Sequence, residues 1–190
     1  MKDFLERIKL FISRNLAQVI TVAAIIALVC LGAAVSIYQS HRLAYPAVEA
    51  CNLLTEATAK AMLGDKVNGI ASSEKPVTDG DVSTSDCSYT DLNPVETEMK
   101  IAALLVMSPR NASGETEINA VFKSDKSSSN VQAVRDIGDS AFFNKSLGQL
   151  NVLYKNTRFI FSYGLAESAE DTTVEDQLSF AKTILAKYNP

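Results

Sequence analysis

Histidine is almost missing from this chain: His41 is the only one in 190 residues. A catalytic Ser-His-Asp triad or a histidine-ligated zinc site needs an imidazole inside a folded domain, and His41 sits just beyond a long apolar run. The glycine-rich signatures GxGxxG and GxxxxGK[ST] do not occur, nor does GxSxG, so nucleotide binding and the nucleophile-elbow hydrolases have no local support. Cysteine is scarce as well. Cys30, Cys51 and Cys87 are the full set, and without a CxxC spacing or a neighbouring histidine they make a poor metal or redox centre. No block of like charge, heptad run or repeat of fixed period is present. Acidic residues exceed basic ones, 22 to 18, and the surplus lies beyond the basic N-terminus, which disfavours nucleic-acid binding. The expectation from these absences is a chain that is not an enzyme, carries no cofactor and has no nucleic-acid partner.

What is present begins with an uncharged run, Leu16 to Tyr38, whose only polar residues apart from its closing tyrosine are Gln18, Thr21 and Ser36. At about 1.5 Å per residue it reaches roughly 34 Å, enough to cross a bilayer core of about 30 Å. Lys2, Arg7, Lys9 and Arg14 precede it, whereas Arg42 is the only basic residue after it before Lys60. The positive-inside bias therefore places the N-terminus in the cytoplasm and the rest outside. The expected organisation is a basic amphipathic segment at 1–15, a transmembrane signal-anchor at 16–38, a linker at 39–49 and an extracytoplasmic domain at 50–190. Three other readings of the run stand beside the anchor. They are a signal peptide cleaved near Gly32–Ser36, a lipoprotein site at Cys30, where Val29 occupies the small-residue position, and a pilin-like stem, though the Gly-Phe and following Glu of that signal are absent.

Cys51 and Cys87 both fall on the exported side, where thiols oxidise, while Cys30 lies within the span. One pair follows, Cys51 with Cys87. Closing that loop restricts the unfolded chain by about 4 kcal/mol in the entropy model. Gly64 to Asp86, inside it, is polar, rich in Gly, Ser, Asp and Lys, and reads as a long loop.

The rest of the domain reads as mixed α and β. Thr55 is a plausible N-cap for a short helix with Ala59, Met62 and Leu63 on its apolar face and Gly64 at its end. Cys87 to Asp91 and Glu98 to Ser108 read as strands, the second covered on both faces because KIAALLVM is apolar at successive positions. Glu115 to Lys123 reads as a helix capped at Ser113. A hairpin turning at Asn156-Thr157 would pair Val152 with Phe161 and Leu150 with Tyr163, giving one apolar, aromatic face. A final helix, with a capping box at Thr172 and Glu175, presents Val174, Leu178, Ala181, Leu185 and Tyr188 toward that face. Tyr154, Phe159, Phe161 and Tyr163 could line an apolar ligand pocket or, the more usual use of such residues, fill the core. Asp125, Asp136 and Asp139 lack calcium-loop spacing. Asn111-Ala-Ser113 and Asn144-Lys-Ser146 match the glycosylation acceptor pattern.

Cys51-Asn-Leu-Leu-Thr55 running to Leu63-Gly64, Cys87-Ser-Tyr89, and Asp136-Ile-Gly-Asp-Ser-Ala-Phe142 before a hairpin together resemble secreted bacterial lipoproteins of unknown function, abundant in actinobacteria. The resemblance covers residues 50 to 188 and departs from that pattern in having a membrane span where those proteins carry a lipidated cysteine. It implies a disulfide-bearing α+β envelope domain and no reaction. The combined expectation is an antiparallel sheet of about five strands packed by helices, anchored in the bilayer through residues 16–38. Its expected function is a binding or interaction module of the cell envelope, with an envelope protein or small apolar ligand as partner. The alternatives are a pilin-like subunit of a surface assembly and, third, an enzyme of unrecognised type.

Overall fold

The computed structural model describes residues 46–65, 67–91, 99–165 and 173–188. The basic segment, the expected anchor, Cys30, His41 and most of the linker lie outside the described residues. Among the described residues no helix is long and apolar enough to cross a membrane. The elements are α1 (Ala50–Leu53), α2 (Glu56–Leu63), β1 (Val67–Asp79), β2 (Val82–Asp91), β3 (Lys100–Pro109), α3 (Ala112–Lys126), β4 (Val131–Val134), β5 (Ser140–Asn144), β6 (Gln149–Tyr154), β7 (Thr157–Leu165) and α4 (Val174–Leu185).

The sheet has seven antiparallel strands in the order β1-β2-β3-β7-β6-β5-β4, not about five. Much of the difference comes from Gly64–Asp86, which is a long hairpin and not a loop. Its inward positions on β2 include serines, so no apolar alternation announces the strand. Ser85 is buried because its hydroxyl donates to the Glu74 carbonyl at 2.8 Å and accepts the Ala50 amide at 2.9 Å. Buried hydroxyls with both roles filled cost little. β1 is an edge strand, broken by register shifts and carrying Glu74, Lys75 and Pro76, features that discourage further pairing. β4 and β5 supply the other additions, joined through a tight turn where Asp136 and Gly138 both have positive φ, 64° and 60°. A Cβ at Gly138 would stand 2.5 Å from Val152 Cγ1 and 2.6 Å from the Leu153 carbonyl oxygen. Gly138→Ala should therefore destabilise the domain by about 1–3 kcal/mol, measured by denaturant unfolding.

One face of the sheet is fully clothed. α1 and α2 pack over β1, β2 and β3, and α4 packs over β6 and β7. Thr55 caps α2 by accepting from the Thr58 amide, and Ala59 and Leu63 are buried. Cys51 on α1 is bonded to Cys87 on β2, the expected pair. The hairpin of β6 and β7 turns at Lys155-Asn156, with φ of 48° and 63°, one residue earlier than expected. Val152 thus faces Phe159 and Leu150 faces Phe161. A type I′ turn needs positive φ at both central residues, and this register also separates Lys155 from Arg158. The slip is two residues in pairing, so every side chain keeps its expected face. α4 is capped by Thr173, which accepts from the Asp176 amide, and not by Thr172. Its innermost residues are Gln177, Phe180, Ala181 and Ile184. Phe180 meets Phe161 at 5.4 Å between ring centroids, so the helix does cover the aromatic face.

Burial pushes the phenol pKa values of Tyr89, Tyr163 and Tyr188 above their ordinary 10.0. Above pH about 10 the unfolded chain loses these protons first, so stability falls as pH rises through that range. Thermal unfolding between pH 8 and 11 should show a falling Tm only at the alkaline end.

Candidate functional site, an open groove on the second sheet face

The second face is covered at one end only. α3 begins at Asn111, whose Oδ1 accepts from the Ser113 and Gly114 amides and whose Nδ2 donates to Asp81 Oδ1 at 2.5 Å. Asn111, not Ser113, is the cap, so the first glycosylation motif is spent on holding a helix. Gly114 lies so close to the β1–β2 turn that a Cβ there would come within 2.0 Å of the Asp81 carbonyl oxygen. From that point α3 runs over β3 and β7, and its Phe122 meets Phe142 of β5 at 5.0 Å.

Beyond α3 the face is bare among the described residues. β3 alternates Ala102, Leu104 and Val106 inward, fully buried, with Ile101, Ala103 and Leu105 on the outer face, only half-buried. The expectation that this strand is covered on both faces is therefore corrected: the run is apolar throughout, yet α3 reaches only its C-terminal end. Ile101, Ala103, Leu105 and Ile160 form the floor of an open hollow of about 430 Å³, with Gln149 and Ser162 beside them. β2 ends at Asp91, β3 begins at Lys100 and β7 ends at Leu165 at this end of the sheet, and residues 92–98 and 166–172 lie outside the described residues.

A second hollow, about 440 Å³, adjoins the first and shares Gln149 and Ile160 with it. Its floor is polar. Arg158 on β7 is only 6% exposed and Asn151 beside it 3%. Asn151 Oδ1 accepts from Arg158 Nε at 3.2 Å and Nη2 at 2.6 Å, while Nη2 also reaches Asp125 Oδ2 of α3 at 2.6 Å. The guanidinium lies 5.9 Å from the Phe122 ring centroid. Donors facing Oδ1 fix the orientation of the Asn151 amide and leave its NH₂ without an acceptor among the described residues. Asn144 is in the same position, because its Oδ1 accepts from the Ser146 and Leu147 amides. Arg158 Nη1 also makes no hydrogen bond to a described residue. This hollow is rich in spare donors and has one carboxylate, Asp125, already engaged.

The aromatic candidates lie on the opposite, clothed face. Phe159 and Phe161 are fully buried; Phe159 meets Tyr188 at 4.9 Å. Tyr154 stands 6.1 Å from Tyr188, and the Tyr163 hydroxyl donates to the Met62 carbonyl at 3.0 Å. All four pack between sheet and helices, away from the groove. Of the three aspartates considered together, Asp125 pairs with Arg158, and Asp139 accepts from the Lys155 amide at 2.7 Å, bonding the next hairpin instead of its own backbone. Asp136 is an exposed turn residue. Among the described residues no group of acidic, histidine or cysteine side chains is arranged to hold a metal ion.

The residues that define the groove were not singled out from sequence. The available signal was the mixed outer face of the hairpin, Asn151, Arg158, Ile160 and Ser162, beside an unbroken apolar strand. Comparison with known protein families, curated proteins and solved structures finds no match to this chain.

Proposed function

We propose that this chain is a membrane-anchored binding module of the bacterial cell envelope. In this reading residues 16–38 hold it in the cytoplasmic membrane, N-terminus inward, and the domain outside takes an apolar or amphipathic ligand in the open groove. Its role is to hold that ligand, not to transform it. The observation that carries the reading is the bare apolar strip Ile101, Ala103, Leu105 and Ile160 on interior strands of a sheet whose other face is fully clothed. A strip of this kind with no cover in the described fold is what a binding surface leaves when empty. The Cys51–Cys87 bond supports an exported domain, since such bonds persist in oxidising compartments.

Native mass spectrometry of residues 45–190 purified from an envelope fraction should show a bound small molecule. Leu105→Asp and Ile160→Asp, which place charge in the strip without touching the clothed face, should remove it. Retention of the ligand in both variants would defeat the groove assignment. The orientation has its own test. Ser127 is exposed at the end of α3, and Ser127→Cys in a Cys30→Ser background should react with an impermeant maleimide without opening the inner membrane. Reaction only after that membrane is breached would reverse the topology.

A further inference from the structure

We infer that Cys51 is the sulfur through which thiol–disulfide exchange enters and leaves the domain: it forms the mixed disulfide with a thiol–disulfide oxidoreductase, and Cys87 is the internal resolving thiol. The inference is independent of what the groove holds. It rests on the unlike surroundings of the two bonded sulfurs. Cys87 is fully buried on β2, between Ser73 of β1 and Leu104 of β3 in the ladder, and its Sγ lies 3.5 Å from the Leu54 carbonyl oxygen. Cys51 on α1 is only partly buried. Its Sγ lies 3.3 Å from the hydroxyl of Ser73, an exposed residue of the edge strand, and the chain neighbours Asn52 and Ser72 are exposed as well.

Exchange proceeds by attack of a thiolate on one sulfur of the bond, so access decides which sulfur is attacked. A fully buried Cys87 offers no approach. In the reductive direction the partner's thiolate attacks Cys51 Sγ, an intermolecular S–S bond forms, and the Cys51–Cys87 bond breaks with its electron pair passing to Cys87. The Cys87 thiolate takes a proton from water, and its S–H then donates to the Leu54 carbonyl. A second thiolate of the partner attacks the partner's own sulfur in the mixed disulfide, and Cys51 leaves as a thiolate to which the Ser73 hydroxyl donates. The partner dithiol is thereby oxidised and the pair reduced. The oxidative direction retraces the path, with Cys51 attacking the partner's disulfide and Cys87 displacing the partner from Cys51 Sγ. α1 is also held on the sheet by contacts other than the bond, since the Ala50 amide donates to Ser85 Oγ at 2.9 Å and Leu54 is fully buried. Cys51 therefore stays beside Cys87, and resolution is intramolecular.

The test uses the full chain in detergent, with Cys30→Ser throughout, and glutathione as the probe. Treated with glutathione disulfide, Cys87→Ser should accumulate a glutathione adduct on Cys51. Cys51→Ser should form its adduct on Cys87 about a hundredfold more slowly, because that thiol reacts only when the domain opens locally. In denaturing guanidinium the two rates should converge, which separates access from intrinsic reactivity. A cooperative unfolding transition checks that each single variant is folded. The chain that keeps both cysteines supplies a measurement free of that condition: its oxidised form, exposed to excess reduced glutathione and quenched in acid, should carry the adduct on Cys51 and a free thiol at Cys87. If a single variant does not fold, this mapping decides. Equal native rates in the two folded variants, or an adduct on Cys87 in the chain with both cysteines, would overturn the assignment. So would the absence of any adduct in that chain, since a sulfur closed to glutathione is no entry point.

Discussion

Replacing Cys51 and Cys87 together by serine should lower the unfolding free energy by about 2–5 kcal/mol, and non-reducing digestion of the native chain should yield one Cys51–Cys87 linked peptide. The bond closes a loop with a sequence separation of 36, containing the rest of α1 after Cys51, α2, the whole of β1 and the first half of β2. Releasing it lets that segment explore far more conformations in the unfolded state while leaving the sheet contacts of β2 intact in the folded one. β1 should suffer first. It is an edge strand with irregular register and two exposed apolar residues, Ile70 and Val77, and the α1 and α2 segment that packs over it lies inside the same ring. Hydrogen exchange in the double variant should accelerate in β1 before β3 or β7. Unchanged stability, or two free thiols in acid-quenched protein, would contradict the pairing.

Phe161→Ala should be as severe, about 3–5 kcal/mol, read as a fall of roughly 10 °C in Tm. The ring is wholly buried, paired with Leu150 on β6 and Leu104 on β3 and in contact with Phe180 on α4. Ile160→Ala, one residue away, lines the groove and should cost less, because its side chain is only partly buried. The contrast between neighbours is the measurement that matters. Similar losses at both positions would mean that the second face is covered after all.

Where period and capping agree with tertiary packing, the chain could be read directly. Thr55 and Gly64 bracket α2, Cys51 and Cys87 pair, and the aromatic hairpin lies under the last helix. The errors have physical sources. β1 and the first half of β2 carry no apolar alternation because Ser83 and Ser85 occupy core positions through hydrogen bonds, which no hydropathy pattern records, whereas Cys87 to Asp91 is a strand as expected. Of the expected α4 stripe Val174, Leu178, Ala181, Leu185 and Tyr188, Ala181 and Tyr188 are in the core, but the helix is rotated so that Phe180 and Ile184 are innermost and Val174, Leu178 and Leu185 only partly buried; a 3.6-residue period admits both, and only the sheet's shape decides. Arg158 gives no local sign of its partner. Its actual partner, Asp125, is 33 positions away on another element, and such a pairing leaves no local trace.

The disulfide also decides how the domain would bear a pull. Tension entering at residue 46 reaches Cys51 after less than two turns of chain and passes through sulfur straight into β2, a strand flanked on both sides. Residues 52–86 then hang as a slack ring outside the line of force. β1, the strand most easily unzipped from an edge, is shielded, and the load is shared as shear across the ladders of β2. Reduction reroutes the same pull through α1, α2 and β1 in series, so that the chain would peel open from its weakest edge.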